Sequence, residues 1–365
     1  EVVALVRSRP TSFVEALGSD TLRLRSRIYD ISEAIGSSYG MATTKFGKLE
    51  AIAGLRYEGT STDYTYYSSN LGVLTGKPSY GNVFPSLLFN YRVHKNVVVR
   101  LAGTKSIARP DYGELLPYSQ VTDPSSGDDP APIGLIPLYR GNANLEAQES
   151  DNVDLSFEYY YQPSGLVSVV LFHKSISKFI YRGAHLERIG AQDYLVYEFL
   201  NGSSQTLKGV ELSWDQSFAF LPSPFNGFGI TANATLLDDS SEFPTFDAVA
   251  RRYGTATKDY LPNQPKRICN AQVYWEKYGI SARVGVNYTS EFVRDVGGLV
   301  ADVINNSATR VDASLSYRIN RNFTVYSQGK NLTREVKSWY NGTPGRPEEF
   351  EYLGWSLVAG VKFRF

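Results

Sequence analysis

An all-β fold, built as a transmembrane antiparallel β-barrel, is predicted by three features of this 365-residue sequence. Apolar and polar residues alternate along many segments, as they do on strands with one apolar and one polar face. The turns between these segments are alternately short and long. No run of roughly 18 apolar residues is present, which excludes a helical membrane span by length. Barrel strands of about 10 residues cross a bilayer without such a run.

Composition is compatible with this fold. The chain has 26 Tyr, 19 Phe and 31 Gly, and aromatic residues suit both strands and membrane–water interfaces. The net charge is zero, so no nucleic-acid partner is expected. Cys269 is the single cysteine, which excludes an intrachain disulfide. Residues 1–15 lack a signal-peptide pattern, and a mature protein or a fragment is expected.

The elements follow in order along the chain. Residues 1–32 are expected to be a poorly defined region with a loop and one strand. Residues 33–365 are expected to form a partial barrel of thirteen strands. These strands are predicted at Ala34–Thr44, Lys48–Gly59, Asn82–Arg92, Val97–Arg109, Asp151–Tyr161, Leu166–Tyr181, Leu207–Phe218, Phe228–Leu237, Arg267–Glu276, Ile280–Tyr288, Arg310–Ile319, Phe323–Leu332 and Tyr352–Phe365.

The last predicted strand, Tyr352–Phe365, shows the alternation most clearly. Its odd positions, such as Leu357 and Phe363, are apolar, whereas Lys362 and Arg364 lie on the other face. Outer-membrane barrels have short periplasmic turns and long extracellular loops. The apolar face is therefore predicted to contact lipid, and the polar face to line a lumen. A soluble β protein with solvated outer faces is the alternative, which the alternation of turn lengths disfavours.

Thirteen is an odd number of strands, whereas bacterial single-chain barrels have an even number. A sheet that does not close leaves unpaired backbone groups in lipid, which the bilayer does not tolerate. The chain is therefore expected to be the C-terminal part of a larger, wide barrel whose other strands lie on the N-terminal side.

Several short phrases occur in a fixed order along residues 33–365. They are GLRYE at 54–58, SIARP at 106–110, GNANL at 141–145, SDN at 150–152, EYY at 158–160, FHK at 172–174, GVE at 209–211 and KNLT at 330–333. Together they resemble the barrel of TonB-dependent outer-membrane receptors, particularly the branch of Xanthomonas-like and Caulobacter-like bacteria.

The C-terminal sequence GVKFRF resembles the signal by which the barrel-assembly machinery selects outer-membrane proteins. Gly360, Phe363 and Phe365 carry this resemblance. The sequence departs from the pattern at Ala359, where a polar residue is usual.

The family resemblance implies a barrel of about 22 strands with a separate N-terminal plug domain, in the outer membrane of a Gram-negative bacterium. Such receptors take up a scarce ligand with energy delivered by the TonB–ExbB–ExbD complex. Neither enzymatic activity nor a cofactor is implied. The plug domain and the TonB box are not found in residues 1–365.

Ligand is expected to contact the long loops. The candidate ligand-binding residues are Tyr112, Tyr118, Tyr139, Arg140, Trp339 and Tyr340. Their rings would stack on a sugar or an aromatic chelator, and an arginine fork would hold an anionic group. The alternative for the rings is an interfacial aromatic belt. For Arg109 and Arg140 the alternative is an ion pair within the loop, with Asp111 or Glu114 as partner.

Metal and catalytic sites are not expected. Asp123, Asp128 and Asp129 are interpreted as a solvated acidic loop in preference to a calcium site. The three histidines are too scattered for a metal site. No nucleophile–base, phosphate-loop or zinc spacing is present, which argues against an enzyme. A hydrolase assembled from neighbouring strands is a minor alternative.

The ligand class is predicted from the loops. They are rich in tyrosine and not strongly cationic, so an oligosaccharide is slightly favoured over a ferric siderophore. A passive outer-membrane barrel or an adhesin that acts through its extracellular loops is the alternative function.

Overall fold

The computed structural model describes residues 29–68, 72–116, 119–121, 135–161, 164–202, 204–247, 252–258, 260–295 and 302–365. These residues are almost all in strands or the turns between them. One short helix, α1 (Tyr112–Leu115), and one 3-10 turn (Phe225–Gly227) are also present. Within the described residues, no helix has the length and apolar character needed to span a membrane.

The strands are numbered in chain order. The first twelve are β1 (Tyr29–Phe46), β2 (Leu49–Ser68), β3 (Gly72–Gly76), β4 (Ser79–His94), β5 (Val97–Ala108), β6 (Ser119–Val121), β7 (Ile136–Arg140), β8 (Gln148–Tyr161), β9 (Gly165–Ser177), β10 (Ile180–Ile189), β11 (Gln192–Asn201) and β12 (Ser204–Ser217). The others are β13 (Phe228–Asp247), β14 (Arg252–Lys258), β15 (Arg267–Lys277), β16 (Ile280–Thr289), β17 (Phe292–Asp295), β18 (Val303–Asn305), β19 (Ala308–Arg318), β20 (Phe323–Lys330), β21 (Lys337–Asn341), β22 (Pro347–Glu351) and β23 (Ser356–Phe363).

One antiparallel sheet forms the wall of the molecule. Its strand order is β1-β2-β4-β5-β8-β9-β12-β13-β15-β16-β19-β20-β23, with β3 and β14 attached to β2 and β13. The thirteen predicted barrel strands are therefore confirmed, each paired with its neighbours in the chain. As described here the sheet is open, with β1 and β23 as its two edges.

The pairing register shows that the wall strands are tilted. A row of mutually paired residues begins at Leu49, the first residue of β2, and reaches Tyr288, eight residues after the start of β16. This row crosses eight strand spacings of about 4.8 Å and rises eight residues of about 3.4 Å. The tilt is therefore about 35°, which agrees with the roughly 35–45° of membrane barrels.

The register also assigns the faces of the wall, because directly paired residues point to the same side. Phe363 of β23 pairs with Phe323, and the same side continues through large apolar residues that are exposed. These include Leu101, Phe157, Leu171, Leu212, Leu236, Val273, Val284, Leu315, Leu357 and Val361. So large an exposed apolar surface is matched by lipid and not by water. The predicted apolar side is therefore present across the sheet, and we expect it to face lipid.

The lipid-facing side is bounded at both ends. Tyr159, Trp214 and Trp275 lie near the short turns, and Lys208 and Arg267 lie near the long loops. Eight residues separate Trp275 from Arg267 on β15, and six separate Trp214 from Lys208 on β12. With the tilt above, these separations correspond to an apolar band of about 17–22 Å, somewhat less than the roughly 25 Å of membrane barrels.

The opposite side of the wall is polar, as predicted. Glu50, Arg100, Glu158 and Asp312 occupy positions that alternate with the lipid-facing residues. Arg100 forms an ion pair with Glu158 on the neighbouring strand. This side is the lumen face of the wall.

The long loops contain strands that the sequence pattern did not predict. β10, β11, β7 and β6 form one four-stranded sheet, the first loop sheet, and β17, β18, β21 and β22 form the second loop sheet. The single strand predicted at Leu166–Tyr181 is wrong in its last part, since β9 ends at Ser177. Lys178 has a positive φ of 56°, which breaks the strand, and β10 begins at Ile180.

Candidate functional site

The long-loop end of the wall holds the described ligand-binding candidates. Tyr139 and Arg140 lie in β7, Trp339 and Tyr340 lie in β21, and Tyr112 begins α1. Tyr118 and the acidic residues Asp123, Asp128 and Asp129 lie outside the described residues.

Tyr139 is packed inside the first loop sheet. The parallel pairing of β7 with β11 places it directly opposite Tyr197, and the two rings stack with centroids 5.1 Å apart. The Arg182 guanidinium of β10 lies 5.6 Å from both centroids, a cation–π geometry. Leu135 and Leu195 pack against Tyr197 from the same core. One face of the Tyr139 ring is therefore occupied by Tyr197.

Arg140 forms ion pairs with two carboxylates of the first loop sheet. Its Nη1 atom is 2.9 Å from Glu187 and its Nε atom is 3.0 Å from Glu198. Burial lowers the pKa of Arg140, but the two carboxylates outweigh that effect and raise it. The partner predicted from sequence, Asp111 or Glu114, is wrong because the register of β7 on β11 places Glu198 opposite Arg140.

His185 adjoins the same pair of carboxylates. Its Nε2 atom is 3.6 Å from Glu187, and its Nδ1 atom is 3.5 Å from Glu198. With Arg140 already bound to both carboxylates, the cluster is an ion-pair network. Among the described residues, no group of His, Cys, Asp or Glu is arranged to hold a metal ion.

Arg109 connects the start of the longest loop to the wall. Its Nη2 atom donates to Glu58 at 2.7 Å and to Thr60 at 3.1 Å, both on β2. The predicted partner, Asp111 or Glu114, is again wrong. The wall places β5 two strands away from β2, within reach of an extended arginine.

Trp339 and Tyr340 are buried in the second loop sheet. Trp339 is 7% exposed and lies under Arg294, whose guanidinium is 4.8 Å from the ring centroid. Tyr340 is 5% exposed, and its hydroxyl donates to Glu291 at 3.3 Å. Burial, together with Glu291, raises the pKa of Tyr340. Both rings stabilise the loop sheet.

Tyr112 differs from the other described candidates because its side chain is 43% exposed. The helix it begins carries a capping box, in which the Asp111 backbone N–H donates to the Glu114 carboxylate at 2.9 Å. Leu115 and Leu116 are buried and anchor the helix. The Tyr112 ring is thus accessible to a ligand and is carried by an anchored helix.

Sequence reasoning left residues 182–206 without an element and so missed Arg182, Glu187 and Tyr197. A signal was present, because the aromatic and aliphatic run 194–197 follows Gly190, which turns β10 into β11 with a positive φ of 63°. Such a run beside a glycine turn is a hairpin signal.

Basic side chains at the long-loop end are repeatedly matched by carboxylates. Besides Arg109 and Arg140, the pairs are Lys77 with Asp63, Lys105 with Glu149, Lys178 with Glu146 and Glu149, Lys258 with Asp302, Lys266 with Asp239 and Lys337 with Glu351. This matching lowers the net field that an anionic ligand would meet.

The lumen face contains a recess lined by five amide side chains together with the charged residues Arg283, Asp312 and Lys330. Asn233, Asn270 and Asn287 lie in one register row across β13, β15 and β16. The Asn270 amide donates to Asn233 at 2.9 Å. The recess has a volume of about 350 Å³ and also includes Gln272 and Gln328. Amide side chains both donate and accept hydrogen bonds, as sugar hydroxyls do.

The C-terminal strand is held by aromatic contacts. β23 pairs with β20, as predicted, and the Phe323 and Phe363 rings are 4.7 Å apart. A Cβ on Gly360 would lie 2.7 Å from the Tyr326 hydroxyl, so glycine makes room for that ring. Phe365 is fully exposed, 4.6 Å from Phe363 between ring centroids.

Comparison with solved structures shows the same wall architecture. The siderophore receptor PiuA from Acinetobacter baumannii matches with a TM-score of 0.66 at 15% identity, over 92% of this chain and 44% of that one. The ferric-catecholate import receptor Fiu from Escherichia coli K12 matches with a TM-score of 0.63 at 15% identity, over 92% and 45%. The ferric yersiniabactin uptake receptor FyuA from Yersinia pestis matches with a TM-score of 0.60 at 14% identity, over 92% and 46%.

The chain thus spans less than half of the length of these three structures. No curated protein matches it in sequence. The family model described as "TonB dependent receptor-like, beta-barrel" matches residues 7–332. The chain therefore belongs to the family of TonB-dependent receptor β-barrels.

Proposed function

We propose that this chain forms part of the barrel of an outer-membrane importer for a neutral, hydroxyl-rich ligand, an oligosaccharide in the first instance. Family membership supports import across the outer membrane of a Gram-negative bacterium. The barrel would act with a plug domain and draw energy from the TonB–ExbB–ExbD complex of the inner membrane. Lipid contacts the apolar side of the wall.

The observation that carries the ligand class is the charge matching at the long-loop end. Arg109, Arg140 and Lys178 are each paired with at least one carboxylate, which reduces the positive field that they present to an anionic ligand. Recognition of a polyanionic ferric chelate draws on unpaired cations, whereas a sugar draws on aromatic faces and amides. Tyr112 and the amide row of the lumen recess supply those two features.

A growth experiment tests this function. The full-length gene is deleted, and the strain is compared with its parent on oligosaccharides as sole carbon source and under iron limitation. We expect the deletion to slow growth on at least one oligosaccharide and to leave growth under iron limitation unchanged. A defect under iron limitation alone would instead assign a ferric siderophore, the type of ligand named for all three of the similar structures.

A passive barrel or adhesin is separated from an importer by energy dependence. Uptake of the identified oligosaccharide is measured with and without an intact TonB complex. We expect uptake to be lost without it. Uptake at the parental rate in its absence would show a passive pore and contradict import by this family's mechanism.

We also propose that the C-terminal strand is the segment selected by the barrel-assembly machinery. The exposed Phe365, with Phe363 beside it, supports this proposal. Replacing both residues by alanine in the full-length protein should lower its level in the outer membrane. Phe350→Ala, another exposed aromatic but in β22, is the control. Unchanged surface levels of the double variant would refute the proposed signal.

A further inference from the structure

The lipid-facing side of the wall is not uniformly convex. A groove with a volume of about 450 Å³ runs along β13 and β15. Its floor is formed by Ala232, Ala234, Cys269 and Ala271. Trp214 of β12 and Tyr288 of β16 form its walls, and the Trp214 indole is fixed by donating to Tyr161 at 2.9 Å. We call this cavity the wall groove.

The wall groove is apolar and lies within the membrane band. Its floor residues alternate with lumen-facing residues and are therefore on the lipid side. They lie between Trp275 at the short-turn end and Arg267 at the long-loop end of β15. The groove follows the strands from one boundary toward the other, which is also the general direction of the acyl chains of a lipid.

A second pocket adjoins the wall groove, and it is lined by residues at the long-loop ends of β15 and β16. It has a volume of about 460 Å³, and Tyr288 lines both cavities. Its charged residues are Lys266, Arg267 and Glu291. Lys266 is paired with Asp239 at 3.6 Å, and Glu291 accepts from Tyr340. Arg267 is exposed, and its guanidinium has no ion-pair partner within the described part of the chain.

The two cavities together have the shape and polarity of one amphiphile. The apolar part lies deep in the band, and the cationic part lies at its extracellular boundary. We propose that the wall groove binds an acyl chain of an anionic, phosphate-bearing lipid of the outer leaflet, whose headgroup is held by Arg267. A guanidinium binds phosphate oxygens in a fork, which gives this headgroup its preference.

The geometry also sets the orientation of the lipid. An inner-leaflet lipid has its headgroup at the opposite boundary, where Trp214 and Trp275 lie. A second copy of this chain would need to place an unpaired carboxylate on Arg267, but Asp238, an acidic residue at this boundary, is paired with Lys208 at 3.0 Å. An outer-leaflet lipid satisfies both cavities. This site does not depend on the identity of the imported ligand.

Native mass spectrometry of the full-length protein, extracted from outer membranes in a mild detergent, tests the proposal. We expect a bound lipid whose fragments contain phosphate. Arg267→Gln should lower the lipid-bound fraction about tenfold, the order expected for one charge-assisted contact. Ala234→Phe should lower it similarly by filling the groove. If Ala234→Phe does not assemble, Ala271→Leu fills the same groove from β15.

Matched controls make the result decisive. Arg321→Gln removes an exposed arginine in a short turn, and Ala313→Leu enlarges a lipid-facing alanine outside the groove. Both should retain lipid at the parental level. The proposal is overturned if Arg267→Gln retains lipid like its control, if the bound lipid is neutral, or if no lipid is bound. It is also overturned if the protein is a dimer that Ala234→Phe converts to a monomer, since the groove is then a protein interface.

Discussion

The wall and the loop sheets are both built from β-strands but are stabilised differently. The wall strands have few fully buried side chains, and residues such as Leu315 and Val284 are more than half exposed. In the first loop sheet, Leu195 and Val196 are fully buried although they are adjacent in sequence. The wall separates an apolar side from a polar lumen side, whereas the first loop sheet contains a hydrophobic core cluster around Leu195 and Tyr197.

This difference in burial indicates which interactions stabilise each region. Wall strands depend on backbone pairing and on contact with lipid, because lipid-exposed backbone groups must be satisfied within the sheet. Loop sheets depend on apolar burial and on partly buried ion pairs such as Arg140–Glu198. The two regions should therefore respond differently to the same kind of substitution.

The largest expected difference concerns leucine truncation. Leu195→Ala should lower the local stability of the first loop sheet by about 2–5 kcal/mol, because it leaves a cavity in a closed core. Leu315→Ala, on the lipid side of the wall, should cost far less because lipid fills the space. Hydrogen exchange of β10 and β11 in the full-length protein measures the stability loss in Leu195→Ala, and hydrogen exchange of β19 measures the loss in Leu315→Ala. Equal losses of local stability in the two variants would show that the wall and the first loop sheet do not differ in how they are stabilised.

Close packing between wall strands gives the next effect. A Cβ on Gly209 would lie 2.3 Å from the Leu236 carbonyl oxygen, whereas a Cβ on Gly103 would meet nothing within 4 Å. Gly209→Ala should therefore destabilise the wall by about 1–3 kcal/mol, and Gly103→Ala should be close to neutral. Denaturant unfolding of the reconstituted full-length protein measures both. A neutral Gly209→Ala would show that the strands separate at little cost.

A smaller effect is expected from ion pairs. A double-mutant cycle on Arg140 and Glu198, which are 31% and 14% exposed, should give a coupling of about 1 kcal/mol. The wall pair Arg283–Glu276 has exposures of 47% and 45% and should give a coupling near zero. Exchange protection of each region measures the coupling. A coupling energy that is larger for Arg283–Glu276 than for Arg140–Glu198 would contradict the view that ion pairs stabilise the first loop sheet more than the wall.

The smallest effect concerns acid stability at the junction of the two regions. Hydrogen bonds from Lys105 and Lys178 lower the pKa of Glu149. A lowered carboxyl pKa stabilises the fold above the unfolded value of about 4.3, and this stabilisation is lost as the pH falls through the folded pKa. Protection factors near β8, that is, the exchange rates relative to those of an unstructured chain at the same pH, should therefore fall on acidification toward pH 3. In Glu149→Gln this fall should be smaller, and identical pH profiles of the protection factors would contradict the assignment.

The wall was predictable from sequence for a physical reason. Each wall strand has an apolar side, which we expect to face lipid, and a polar side toward the lumen. Apolar and polar residues therefore alternate along its sequence, as in β23. Predicted and observed bounds of strands such as Val97–Ala108 and Ile280–Thr289 differ by a single residue. Within the apolar band, each wall strand pairs only with its neighbours in the sheet, so no other contact disturbs the alternation of apolar and polar residues.

The loop sheets were not predictable in the same way. Leu195, Val196 and Tyr197 are consecutive and all buried, so no alternation marks β11. The partners of Arg140 depend on a parallel pairing between β7 and β11, which lie more than fifty residues apart in sequence. Contacts of this range arise from the folded wall, which holds the loops over one another.

The central claim is that alternate residues of each wall strand face lipid and lumen. Spin labels at single cysteines along β19 of the full-length protein, with Cys269 replaced by serine, test it most directly. Labels at Ala313, Leu315 and Tyr317 should be accessible to oxygen dissolved in lipid, and labels at Asp312, Ser314 and Ser316 to a water-soluble nickel complex. Accessibility without a period of two along the strand would contradict the assignment of the two faces.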